Sequence, residues 1–152
     1  MNITVTAETG RAHMPYLRKQ LKQVVQAIRP RLKDLTVILA SNHTIKRLHK
    51  TYMNDASITD VLTFPIDTDD AGKVQSGEVY VCVSEARRQA RSRNIAMQNE
   101  LLLYALHGML HLLGHDDRTA ADYRKMHRAE DKILSAIGLG EVFSTPAKRR
   151  PR

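Results

Sequence analysis

Gln98-Asn99-Glu100-Leu101-Leu102-Leu103-Tyr104-Ala105-Leu106-His107-Gly108-Met109-Leu110-His111-Leu112-Leu113 is apolar on nearly every side of a helical wheel. A helix apolar all round is enclosed by other elements rather than laid on a surface. The pattern therefore predicts a central helix over Gln98–Leu113 with the rest of the chain arranged about it. Near its end stand His107 and His111, four residues apart and so on one face. Histidine is uncommon as a fully buried residue and needs polar partners there. Gly114-His115-Asp116-Asp117 follows directly.

Outward from this helix the periodicity is clear. Ile3–Ala7 alternates apolar and polar and reads as a short strand. Leu17, Leu21, Val24, Val25 and Ile28 predict a helix over Tyr16–Ile28, stopped by Pro30. Leu35–Ala40 is a strand, and Ser41-Asn42 caps a helix over Thr44–Met53. Val61–Ile66 is a third strand, whose Pro65 suits a sheet edge or a strand end. A polar turn spans Asp67–Lys73, and Glu78–Val83 is the fourth strand. Helices over Ser84–Arg93 and Ala120–Ile137 flank the central one in sequence. Four strands and five helices in this order predict a single α+β domain over 1–142, with one mixed sheet packed by helices. A basic, flexible tail over 143–152 follows.

Two histidines at this spacing, with a carboxylate and a third histidine close behind, make a metal site. Zinc takes three such ligands and keeps a fourth position for a water that ionises near neutral pH. His107, His111 and Gly114 match the metzincin frame H-E-x-x-H-x-x-G-x-x-H, so the central helix reads as metzincin-like. Gly108 replaces the peptidase's glutamate base, which argues against proteolysis. Asp117 takes the place of the third histidine. A straight helix through His115 would separate it from His107 by about 12 Å, so the helix must break, and Gly114 permits that. Asp117 is then the expected third ligand, with His115 as the alternative ligand or a neighbour of the metal-bound water. Asp116 reads as a supporting residue. A hydrogen-bonded histidine cluster without metal is the plainer reading of the same residues.

The 152-residue chain is 42% hydrophobic, carries a net charge of +8 and has one cysteine. Cys82 alone forms no internal disulfide, which suits a reducing compartment. No run approaches the roughly 18–20 apolar residues of a membrane span, so a soluble, cytoplasmic protein with no membrane partner is expected. The positive charge favours a polyanion such as nucleic acid. Lys148, Arg149, Arg150 and Arg152 contribute part of it from the tail. With no Trp and 5% aromatics, a stacking surface for single strands is not favoured by composition.

His107-Gly-Met-Leu-His111-Leu-Leu-Gly114-His-Asp-Asp117 resembles the H-G-x-L-H-L-x-G-Y-D-H signature of the YbeY family of bacterial endoribonucleases and ribosomal-RNA maturation factors. Thr59-Asp60-Val61-Leu62-Thr63-Phe64-Pro65 is similar to that family's T-D-V-L-S-F-P. Gly77-Glu78-Val79-Tyr80-Val81 is similar to its G-D-I-x-I, and Met126 falls where it keeps a methionine. The resemblance implies a hydrolase with one zinc ion per chain, other divalent metals being possible. It implies action on single-stranded RNA, notably the 3′ end of small-subunit ribosomal RNA, in maturation and ribosome quality control. Ribosomal RNA and the small ribosomal subunit are its implied partners.

Two positions depart from the family. Asp117 and His115 stand for its histidine and tyrosine. Met53 stands where it carries an arginine, with Arg47, Arg87, Arg91 and Arg118 as substitutes for a phosphate grip. A non-catalytic assembly factor that binds ribosomal RNA and uses the metal for structure is the competing reading. Of the remaining candidates, Thr59-Asp60 reads as a turn or a site residue, and Met126 as core packing or a floor beneath the metal.

Overall fold

The computed structural model describes residues 1–55, 57 and 59–140. The expected basic tail over 143–152, and the end of the domain at 142, lie outside them. Four strands and five α-helices follow the expected order: β1 (Asn2–Ala7), α1 (Met14–Ile28), β2 (Asp34–Ala40), α2 (Asn42–Met53), β3 (Val61–Thr68), β4 (Val74–Cys82), α3 (Val83–Arg93), α4 (Met97–Leu112) and α5 (Ala120–Ala136). They form one α+β unit. The sheet runs β1-β2-β4-β3, with β1, β2 and β4 parallel and β3 antiparallel to β4.

Pro65 lies on an edge strand, where its missing N–H breaks no internal ladder. β4 begins at Val74, well before the expected Glu78. The reason is a tight hairpin closed by Asp69. Its carboxylate accepts from the Ala71 and Lys73 amides at 3.0 and 2.9 Å, so pairing resumes at once from Thr68 to Val74. Ser41 caps α2 by accepting from the Thr44 amide at 3.3 Å, and Thr119 caps α5 by accepting from the Asp122 amide at 3.0 Å.

α4 lies in the centre. Only at its two ends does it approach the surface; Glu100 through Leu110 are buried without a break. It packs on β3 and β4 with one side and on α1, α3 and α5 with others. Enclosing Leu101, Leu102, Leu103 and Leu106 this way stabilises the fold by about 1.5–3 kcal/mol per side chain. A buried ion pair obeys the same logic. Glu100 and Arg93 are both buried, and the Arg93 guanidinium donates to both Glu100 oxygens at 3.0 and 3.3 Å. Among the described residues, no helix is long and apolar enough to cross a membrane.

Gly108 sets how closely α4 sits on the sheet. A Cβ there would fall 2.4 Å from one Val79 methyl and 3.1 Å from the Thr63 methyl. The backbone at Gly108 thus lies close against β3 and β4, and a larger side chain has no room there. Gly108→Ala is expected to destabilise the protein by about 1–3 kcal/mol through overpacking. The check is a urea titration: a lower midpoint at unchanged slope. An unchanged midpoint would show that helix and sheet can part without penalty.

Candidate metal centre

The end of α4 builds the site. Gly114 adopts φ 102°, and the helix closes in a Schellman motif. The His115 amide donates to the Leu110 carbonyl at 2.9 Å and the Gly114 amide to the His111 carbonyl at 3.0 Å. These are the two bonds that define that cap, and glycine relieves the steric cost of its positive φ. The chain doubles back at once. As a result the His115 carbonyl meets the His111 ring, and Asp117 returns to the two histidines.

His107 Nδ1 faces Glu130 Oε2 at 2.8 Å, and His111 Nδ1 faces the His115 carbonyl at 3.0 Å. A carboxylate and a carbonyl accept, so in neutral rings both Nδ1 atoms are the donors. Both Nε2 atoms then carry lone pairs, and they point at each other across 3.1 Å. Asp117 Oδ2 lies 3.2 Å from the first and 3.6 Å from the second. Lone pairs so arranged repel unless a cation shares them. Tetrahedral bonds of about 2.0–2.1 Å would hold neighbouring ligand atoms roughly 3.3–3.4 Å apart, and the three separations bracket that value. Charge agrees as well. Two neutral imidazoles with the Asp117 and Glu130 carboxylates balance a divalent ion. His107, His111 and Asp117 can therefore hold a metal. His107 is buried, while His111 and Asp117 are 26% and 17% exposed, so the cluster opens to solvent on their side.

A protein-family model described as Endoribonuclease YbeY matches residues 2–138. The chain belongs to the YbeY endoribonuclease family. It is 32% identical to the endoribonuclease YbeY of Thermus thermophilus over 127 residues, covering 82% of this chain and 91% of the relative. The Thermobifida fusca protein of that name is 33% identical over 146 residues, covering 89% and 93%. A solution structure of a Thermotoga maritima protein superposes with a TM-score of 0.65 at 30% identity, covering 97% of this chain and 96% of that one.

Several residues singled out in the sequence are not among the three that can hold a metal. His115 offers the cluster a backbone carbonyl, and the residue borders clefts beside α5. Asp116 organises the loop. Its carboxylate accepts from the amides of Asp117 and Arg118 at 2.7 and 3.1 Å and from the Arg118 guanidinium at 2.7 Å. That guanidinium, ahead of the two amides, holds the Asp116 carboxyl below the usual range. Arg118 is therefore engaged, although it is exposed beside the family's signature loop. The Asp60 carboxylate accepts from the Val61 amide at 2.9 Å. Met126 is buried in the main core. Arg87 and Arg91 line a groove at the start of α4 beside Met97, about 21 Å of helix from His111. Arg93, at the end of α3, is buried against Glu100.

Glu130 is the residue the motif does not announce. It sits on α5, fully buried, with one oxygen on His107 and the other 3.5 Å from His127 Nδ1. The His127 ring packs edge-on against Tyr123 at 4.3 Å. The signal was a glutamate on the apolar face of α5, beside Met126, Ile133 and Leu134. A carboxylate on the far nitrogen of a ligating histidine fixes its tautomer and raises its basicity. Glu130→Gln, which keeps the shape but removes the charge, is expected to weaken zinc or cobalt(II) affinity about 10–100-fold. Competition with a chromophoric chelator measures this. Unchanged affinity would reduce Glu130 to packing.

Proposed function

We propose that this chain is a single-metal endoribonuclease that cuts single-stranded RNA, acting on the 3′ end of small-subunit ribosomal RNA in maturation and in ribosome quality control. One observation carries the reading: two histidine Nε2 lone pairs and an Asp117 oxygen converge at the solvent-facing end of a buried helix in a member of an endoribonuclease family. The His107–His111–Asp117 set suits one Zn²⁺ per chain, and nickel, cobalt or iron(II) have compatible chemistry. Such an ion supplies an activated water at neutral pH and offsets charge that develops on phosphate oxygens.

The protein's own part is rigid placement. His107 is fixed by Glu130 and His111 by the His115 carbonyl, so neither ring turns when substrate arrives. Gly108 leaves no carboxylate base between His107 and His111, which argues against peptide hydrolysis. The net charge of +8 gathers polyanion, with affinity falling as salt rises. Ribosomal RNA, the small ribosomal subunit and a cytoplasmic location belong to the same proposal and rest on the family.

Met53 favours a second reading. It is 59% exposed at the end of α2, where the family carries arginine, so a phosphate contact is missing. The competing function is a metal-stabilised assembly factor that binds ribosomal RNA without cutting it. Cleavage of a labelled single-stranded ribosomal-RNA fragment by wild type and His111→Ala, purified identically, separates the two. Loss of at least about 100-fold in the variant is expected. RNA binding without cleavage by the wild type would favour the assembly factor, and equal cleavage by both would expose a contaminating nuclease.

A further inference from the structure

The sheet has a second face, and it is only partly covered. There α2 packs over β3 and β4 around a small core of Ala40, Ile45, Leu48, Leu62 and Cys82. At the rim of that core the aromatic rings form a chain. Phe64 meets Tyr52 edge-on at 5.0 Å and 62°, and meets Tyr80 edge-on at 5.6 Å and 85°. The chain has five tyrosines, two phenylalanines and no tryptophan, so this face concentrates what composition makes scarce. Tyr52 is 64% exposed and Ile66 61%. With Leu48, Phe64, Glu78 and Tyr80 they line a groove of about 250 Å³.

We propose that this groove seats an unpaired base of the RNA, as a binding site distinct from the His107–His111–Asp117 cluster; the inference rests on the RNA-cleaving reading above. Exposed aromatic rings beside cations are the arrangement that binds single strands, since every base has a stacking face and every linkage a negative charge. The cations come from α2, whose Lys46, Arg47 and Lys50 are exposed. Arg47 lies within electrostatic reach of the Tyr80 phenol. Glu78 gives the groove a direction. Its carboxylate accepts from the Tyr80 hydroxyl at 3.5 Å and repels phosphate, so the backbone runs along α2 and the base edge turns toward Glu78. A carboxylate there accepts from the exocyclic amino groups of adenine, cytosine or guanine, whereas uracil offers it only a ring N3–H flanked by two carbonyls that it repels, so uracil is disfavoured.

Fluorescence anisotropy with the full chain tests this, using labelled oligoadenylate and oligouridylate of about eight nucleotides at fixed salt, with RNA cleavage measured in parallel. Tyr52→Ala is expected to raise the oligoadenylate Kd about tenfold, with the fold retained by circular dichroism and a thermal midpoint lowered only by loss of the edge contact with Phe64. Tyr52→Phe, which keeps the ring, should bind as wild type, and Glu78→Gln should narrow the preference for adenylate. Wild-type cleavage with equal Kd for wild type and Tyr52→Ala overturns the base seat and leaves the nuclease reading intact. A wild-type preference for oligouridylate overturns the role of Glu78. A wild type that neither binds nor cuts RNA overturns the nuclease reading, and the base seat with it.

Discussion

The enclosure of α4 is the constraint on which this molecule is built. A helix with leucine on every side has no stable place except between other elements. The sheet and α1, α3 and α5 are arranged to cover it. Enclosure would ordinarily make such a helix inert. Here the helix ends, after His107 and His111, at the point where burial gives way to solvent, and the cluster that can hold a metal lies at that boundary. Gly108 and Gly114 serve the same end from opposite directions. The first lets the helix lie on β3 and β4 without a spacer atom, and the second stops it in one residue.

The candidate site is a product of tertiary packing as much as of a local motif. His107 and Glu130 are 23 residues apart and meet only because α5 docks on α4. A buried carboxylate is costly without compensation, and Glu130 finds it in His107, His127 and the charge balance of the cluster. Metal affinity and the docking of α5 are thereby linked. An ion bound to the native state alone stabilises it by mass action.

Much of the fold is readable in the chain because its signals are local and strong. The apolar run in α4, the alternation in β1 and the cap at Ser41 each specify an element from a few neighbours. The start of β4 is not readable in this way, since Val74-Gln75-Ser76-Gly77 has no clear alternation and its pairing depends on the Asp69 hairpin. His107, His111 and Asp117 could be proposed together because a helix and its cap are local geometry. Glu130 and His127 could not, because their roles arise from one helix laid across another. The aromatic cluster was hidden for the same reason. Tyr52, Phe64 and Tyr80 come from three elements, and a low aromatic count says nothing of where the few are gathered.

β3 carries a further consequence. It is an edge strand with Phe64 and Ile66 at its surface, the combination that invites one molecule to add its sheet to another. Pro65 withholds an amide at the middle of that edge, and the pairing slips between Pro65 and Asp67 and again at Thr68. Asp67 adds a charge just beyond. The strand is therefore a poor template for polymerisation, and an apolar rim can stand open to water in the free molecule without drawing copies of the chain into fibres.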